Sequence, residues 1–181
     1  MAKWSVIARR IRVPIGFAFT VLYLWLARPT VKSLLLGAAL VLTGLAIRAL
    51  ASGHVEKNQR LATGGPYAYT RNPLYLGSLI LAGGFVLAAR SWWIAVGVIV
   101  IFLAVYLPVI GAEETFLRER FPEFEEYARQ VPRLLPRWSA FHNSHGEFSW
   151  DLYWKHREYN AALGSVAMVA ALAAKLFWIH N

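Results

Sequence analysis

Five long apolar stretches, residues 11–27, 33–51, 74–89, 92–111 and 161–179, take up about half of this chain and leave only short polar connections between them. Inside a bilayer there is no water to satisfy backbone N–H and C=O groups, so each stretch must close its hydrogen bonds internally as a helix. The expected fold class is an all-α integral membrane protein of about five transmembrane helices, with residues 1–181 as a single membrane domain. The third stretch is short against the roughly 17–25 residues that normally cross the hydrocarbon core, and the first reaches that range only by including Arg12. Only Arg90 and Ser91 separate the third stretch from the fourth, which predicts a tight helical hairpin with the arginine at the interface; a re-entrant pair is the rival reading.

The basic residues orient these spans. Of 19 Lys and Arg side chains, fifteen fall before or at the very start of the first stretch (Arg12 included), around the second-to-third connection and within 118–157; Arg28, Lys32, Arg90 and Lys175 fall on the other side. The positive-inside rule then places the N-terminus and the 52–73 and 112–160 segments in the cytoplasm, with the C-terminus outside. All ten acidic residues lie on that same cytoplasmic side, which is therefore the chemically equipped face. The basic, then apolar, N-terminal segment reads as an anchor rather than a cleaved signal, and the compactness of the chain favours a bacterial inner membrane.

Composition narrows the function. With 57% hydrophobic residues, 16% charged residues and a mean hydropathy of +0.42, the chain is neither disordered nor a simple water-soluble domain. It has no cysteine, which removes disulfides, a thiol nucleophile and cysteine-ligated metals. The net charge of +9 sits on the flanks of apolar runs and carries no nucleic-acid motif, so membrane orientation explains it and nucleic acid is not an expected partner. His142 and His145, with His156 further on, do not make a ligand set by proximity in sequence, and no metal site is expected. His54 and Glu56 suit an interfacial structural role, and Trp92 and Trp93 an outer aromatic belt.

The loop between the second and third stretches reads LATGGPYAYTRNPLYLG from Leu61 to Gly77. Gly64 and Gly65 permit unusual backbone angles, Pro66 and Pro73 stiffen the path, and Tyr67, Tyr69 and Tyr75 add flat surfaces with hydroxyl tips. Either a turn with an aromatic belt or a shaped pocket fits this composition. Arg71 can snorkel from a helix start or hold a carboxylate or phosphate through its planar fork. After the fourth stretch comes GAEETFLRERFPEFEEY, followed by VPRLLPR from Val131 to Arg137. Adjacent helical residues point about 100° apart, so Glu113 and Glu114 do not converge as a carboxylate pair. Either Glu114 faces inward alone or it forms an i,i+4 ion pair with Arg118; the other acidic residues here, including Glu123, Glu125 and Glu126, read as a solvated face.

In combination, GGPYAYTRNPLYLG followed across a hairpin by EETFLRERFPEFEEYARQVPRLLP resembles the isoprenylcysteine carboxyl methyltransferase and phospholipid methyltransferase family of integral membrane enzymes, over about residues 48–137. The resemblance implies methyl transfer from S-adenosylmethionine, with S-adenosylhomocysteine as product, to a lipid or lipid-modified acceptor at the cytoplasmic membrane face. It implies that Gly65, Tyr67, Asn72, Pro73 and Tyr75 enclose the cofactor with Glu114 near its charged groups, and that Arg71 and Arg133 orient substrate charge. Asn72 stands where many relatives have histidine, so a role needing imidazole protonation does not transfer. A carboxylate acceptor arrives ionised and needs only alignment; an amine must first lose a proton, a task for Glu114 or water. O- and N-methylation both stay open, as does the oligomeric state, and membrane lipids are the expected surroundings. Two alternatives stand beside this reading: a sterol-reductase-like membrane reductase, and a nonenzymatic scaffold or transport subunit whose charges organise helix ends.

Overall fold

The computed structural model describes residues 2–56, 59–142 and 146–180, and within these the side chains other than those of 2–6, 8–14, 179 and 180. It is all helical among the described residues. The order is α1 (Ala2–Leu26), α2 (Val31–Ser52), a 3-10 turn (Gly65–Ala68), α3 (Pro73–Ala89), α4 (Trp92–Ile101), a π-helical turn (Phe102–Tyr106), α5 (Leu107–Arg120), α6 (Phe124–Gln130), α7 (Trp150–Lys155) and α8 (Tyr159–His180). Among the described residues three helices are long and apolar enough to cross a membrane: α2, the continuous Trp92–Arg120 helix and Tyr159–Trp178. Two shorter apolar helices, Ile15–Leu26 and Pro73–Ala89, accompany them. The all-α membrane fold expected from hydropathy is therefore what forms.

Local signals set the helix ends. Thr30 and Ser33 form a reciprocal capping box at the start of α2. Pro73, with no N–H to waste, opens α3, and Arg90 closes it with a left-handed φ of 51°, turning the chain into Ser91 and α4 as the Arg90-Ser91 break predicts. The fourth apolar stretch ends at 111, yet the helix runs on to Arg120, because Glu, Leu and Arg favour helix even where hydropathy falls. Pro108 cannot donate to the turn behind it, and the helix widens into its π turn immediately before that proline.

After the Arg90 turn α4 still touches α3, but the continuous 92–120 helix runs mainly along α1, whereas α3 packs closely on α2. The reason is a double register of glycines seven residues apart, Gly37 and Gly44 facing Gly84 and Gly77. A Cβ on Gly37 would stand 2.5 Å from the Gly84 carbonyl oxygen, and one on Gly44 would stand 2.6 Å from that of Gly77. Small residues let two helix backbones approach where lipid offers no hydrophobic drive to do so. At the end away from the long loops, Arg28 N–H donates to Ala89 O (2.9 Å), Ser33 Oγ to Ala88 O (3.1 Å), and Lys175 Nζ to the carbonyls of Leu24 and Trp25. Tyr23, Ala27, Ala88, Ala89, Ile94 and Leu172 make the buried cluster there. The opposite end, the loop face, carries 53–72 and 121–158.

Candidate active site

The loop face is built by wrapping one polar segment around another. Gly65 has φ +54° and its α-carbon lies against the His54 ring, so both the turn and the contact require glycine. The 3-10 turn that follows hands on a backbone whose groups are met by the 131–141 segment: Phe141 N–H donates to Ala68 O, Arg137 N–H to Tyr69 O and Arg71 N–H to Pro132 O, all within 3.0 Å. Thr70 Oγ1 donates to the carbonyls of Arg133 and Leu134. Beneath lies an aromatic cluster of Phe121, Phe124, Tyr127 and Phe141 with Ala68 and Val131. Tyr127 donates its hydroxyl to Tyr67 O at 2.7 Å. Burial, helped for Tyr67 by its neighbouring phenol and Glu113, pushes both phenols well above their ordinary value of 10, so each stays a neutral hydroxyl.

Glu114, only 5% exposed, is the hub of this wrap. Its Oε2 accepts from Arg133 Nε (3.0 Å) and Nη2 (2.6 Å), while Oε1 accepts from Asn72 Nδ2 (3.2 Å). Asn72 Nδ2 also reaches Arg133 O (3.0 Å). Arg71 Nε stands 3.3 Å from Oε1, near enough for charge attraction but off the hydrogen-bond line, so that buried N–H has no hydrogen-bond partner. Arg71 Nη1 donates to Ala128 O, and its guanidinium lies 6.0 Å from the Phe124 ring centre. Two guanidinium groups thus surround one carboxylate, leaving a surplus positive charge beside a buried donor.

That surplus borders a cavity of about 470 Å³, within the usual range for small-molecule sites. Tyr67, Arg71, Asn72, Tyr75, Glu113 and Glu114 line it together with Leu61, Phe116, Phe121, Phe124 and Tyr127. Tyr75 Oη donates to Glu113 Oε1 at 3.0 Å, fixing a second carboxylate at the rim. Glu56 and Arg60, an exposed ion pair, close the outer edge. The cavity therefore offers aromatic walls, an anion-seeking guanidinium and two carboxylates.

Of the residues the sequence singles out, Tyr67, Arg71, Asn72, Tyr75 and Glu114 come together on the cavity wall. Gly65, Pro73 and Arg133 do not line it: Gly65 shapes the turn, Pro73 starts α3, and Arg133 grips Glu114 from the far side. Of the two readings of Glu114, the inward-facing one is realised; Arg118 pairs instead with Glu125 on the surface. Glu113, grouped by sequence with the solvated acids, lies at the rim against Tyr75. Tyr127 and the three phenylalanines were not visible as site residues, because sixty residues of chain separate Tyr127 from its partner Tyr67; the FPEF spacing was the one available hint. His54 and Glu56 part company, His54 turning to Leu50 O. His156 turns to Ser52 O, and His145 lies outside the described residues.

A wrapped loop, a buried carboxylate and a cavity on the α3 and α5 helix ends coincide with a known sequence profile, that of phospholipid methyltransferase, which matches residues 15–123. The chain belongs to the phospholipid methyltransferase family. Within the family match lie the cavity wall as far as Phe121 and the whole of α2, α3, α4 and α5; Arg133, α7 and α8 lie beyond it. Among curated proteins the chain is 37% identical over 98 residues to the cobalt-zinc-cadmium resistance protein CzcN of Cupriavidus metallidurans, covering 54% of this chain and 44% of that protein. It is 36% identical over 86 residues to the nickel-cobalt-cadmium resistance protein NccN of Alcaligenes xylosoxydans xylosoxydans, covering 48% of this chain and 40% of that one. The match thus spans less than half the length of these relatives. No solved structure matches the chain.

Proposed function

We propose that this protein transfers a methyl group from S-adenosylmethionine to a lipid or lipid-modified acceptor, by carboxylate O-methylation or amine N-methylation, at the cytoplasmic face of a membrane. The observation that carries the reading is the Glu114 hub with its surplus positive charge, set beside an aromatic-walled cavity in a member of this family. The residues present fit the cofactor. Arg71, whose side chain lines the cavity, suits a carboxylate; Glu113 suits a cationic amine or sulfonium; Phe121, Phe124 and Tyr67 suit a flat base. When bound, the cofactor supplies an electrophilic methyl carbon next to a positive sulfur.

The protein's share is positioning. Donor and acceptor held in line in a dry site react as if at high mutual concentration, and no covalent enzyme intermediate is needed. Phe121 and Phe124, both buried, give the cavity apolar walls that disfavour water. Glu114, itself held by Arg133, restrains Arg71 on the cavity wall before any ligand arrives, which reduces the ordering cost of binding. Since all four carboxylate contacts of Glu114 are with cations or an amide, its role in this reading is to hold the arginines; an amine acceptor would pass its proton to Glu113 or to water.

The basic loop face supports placing it in the cytoplasm, where the cofactor is made, with the N-terminus inside and the C-terminus outside a bacterial inner membrane. The relatives are named for resistance to cobalt, zinc, cadmium and nickel. For this chain we connect that with modification of membrane lipid, in keeping with the family match. The test is ligand-linked stability: S-adenosylhomocysteine should raise the thermal midpoint of the detergent-solubilised protein, and Tyr75→Ala should weaken the shift by removing a wall and freeing Glu113. An unchanged midpoint at saturating nucleoside would overturn the reading.

A further inference from the structure

A second cavity, of about 530 Å³, lies inside the helix bundle and shares no lining residue with the first. Its walls come from α1, α3, α4, the π turn and α8, with Arg48 of α2 at one end, and Phe19, Phe85, Ile94, Phe102 and Met168 are among the lining side chains. The lining runs along α8 from Asn160 to Met168, a rise of about 12 Å, close to the ~15 Å depth of one leaflet's hydrocarbon. That is the span of one lipid chain.

Its two ends differ. Tyr23 and Ile94, both buried, close the end away from the loops. At the loop end stand Arg48, Ser78 and Asn160. Arg48 donates from Nε and Nη2 to both oxygens of Glu158 at 2.8 to 3.1 Å and from Nη1 to Ser78 Oγ. This pair joins α2 to the start of α8, and it is neutral as a unit, so it tolerates an apolar chain beneath it while offering hydrogen bonds to a polar end.

The side wall is open. Lys175 ties α8 to α1 at their far ends, but nearer the loops Gly16 of α1 and Gly164 of α8 both border the cavity, and a Cβ added at either would meet nothing within 4 Å. Unlike the glycines between α2 and α3, these two are not needed for packing; their missing side chains leave space. The two cavities approach at one place, where the ring of Tyr106 on the π turn meets that of Tyr75 edge-on at 6.0 Å, Tyr106 lining one cavity and Tyr75 the other.

We propose that this intramembrane cavity takes one hydrocarbon chain of a membrane lipid through the opening between Gly16 and Gly164, with the lipid's polar end at Arg48, Ser78 and Asn160 beside the Tyr75–Tyr106 contact. On the functional reading above, that lipid is the methyl acceptor. α8, which forms part of this wall, and Glu158, which holds Arg48, lie outside the residues the family match covers.

The test uses the full chain in vesicles of phosphatidylethanolamine and phosphatidylglycerol doped with a phospholipid carrying a diazirine at the end of one acyl chain. After illumination, adducts should concentrate on Phe19, Phe85 and Met168, which line the cavity near its closed end. Gly164→Leu, which improves helix propensity while filling the opening, should cut those adducts about tenfold, the effect of losing roughly two buried methylenes. Gly16→Leu should do the same from the facing helix, so a folding defect in one variant leaves the other decisive. S-adenosylhomocysteine binding should be unchanged in both. Adducts confined to outward-facing Leu103, Leu163 and Val166, or inward adducts indifferent to both substitutions, would overturn the proposal. Inward adducts without nucleoside binding would uphold the chain site and count against the methyltransferase reading instead.

Discussion

Glu114 sets one negative charge against two guanidinium groups, and each of its contacts joins parts of the chain that are far apart in sequence. Glu114→Gln keeps the shape and removes the charge, leaving Arg71, which is 13% exposed, without a counter-ion in a buried setting. Removing one partner of a buried pair costs about 3–5 kcal/mol; because the Arg133 side chain is 51% exposed and can turn to water, a loss of about 3 kcal/mol is expected here. Chemical unfolding in detergent would measure it. Glu125→Gln on the Arg118 pair, whose side chains are 52% and 53% exposed, supplies the contrast and should cost at most ~1 kcal/mol. Equal effects from the two substitutions would mean that Glu114 is an ordinary surface acid. The loss in Glu114→Gln should also exceed stability alone: S-adenosylhomocysteine affinity should fall because Arg71 and the Asn72 amide lose their shared anchor.

At the scale of elements, the junction of α2 with α3 decides whether the cavity has a wall, since α3 begins beside Asn72 and carries Tyr75. Gly44→Leu would drive its side chain into the Gly77 carbonyl and the Leu81 backbone, separating the helices at a cost of about 3 kcal/mol or more. Gly83→Leu is the matched control, because nothing lies within 4 Å of a Cβ there, and its thermal midpoint should stay near that of the parent. The positions and order of the apolar helices were legible from hydropathy, because burial in lipid is a property of each stretch by itself; among the described residues three of the five are long enough to cross a membrane and two are shorter. Helix partners were not. The Arg90 turn makes α3 and α4 neighbours in sequence, but contact in a bilayer depends on small residues, and the seven-residue spacing of Gly37, Gly44, Gly77 and Gly84 was the overlooked signal. The same limit applies to the site. Arg71, Asn72 and Glu114 stand out as polar residues at apolar boundaries, whereas Tyr127 and Phe124 look like ordinary core until Val131 to Phe141 folds back over the Gly65–Asn72 loop.

For the whole molecule, the account requires that the 53–72 loop and the α3–α4 turn lie on opposite sides of the membrane. Lys57, the natural position to probe, lies outside the described residues, so Gln59 and Ser91 serve. With no native cysteine to confuse the result, Gln59→Cys should react with an impermeant thiol reagent only from the cytoplasmic side and Ser91→Cys only from outside. Labelling of both from one side would make α3 and α4 a re-entrant pair and remove the bilayer wall from the second cavity. The most direct measurement of all is methyl transfer: purified protein in vesicles, S-adenosylmethionine labelled on its methyl group, and fractionated membrane lipids as acceptors. Label should enter a lipid fraction, with its appearance lost in Glu114→Gln and retained in Glu125→Gln. Label that stays in the nucleoside across every lipid fraction, while the protein is folded and binds S-adenosylhomocysteine, would contradict it.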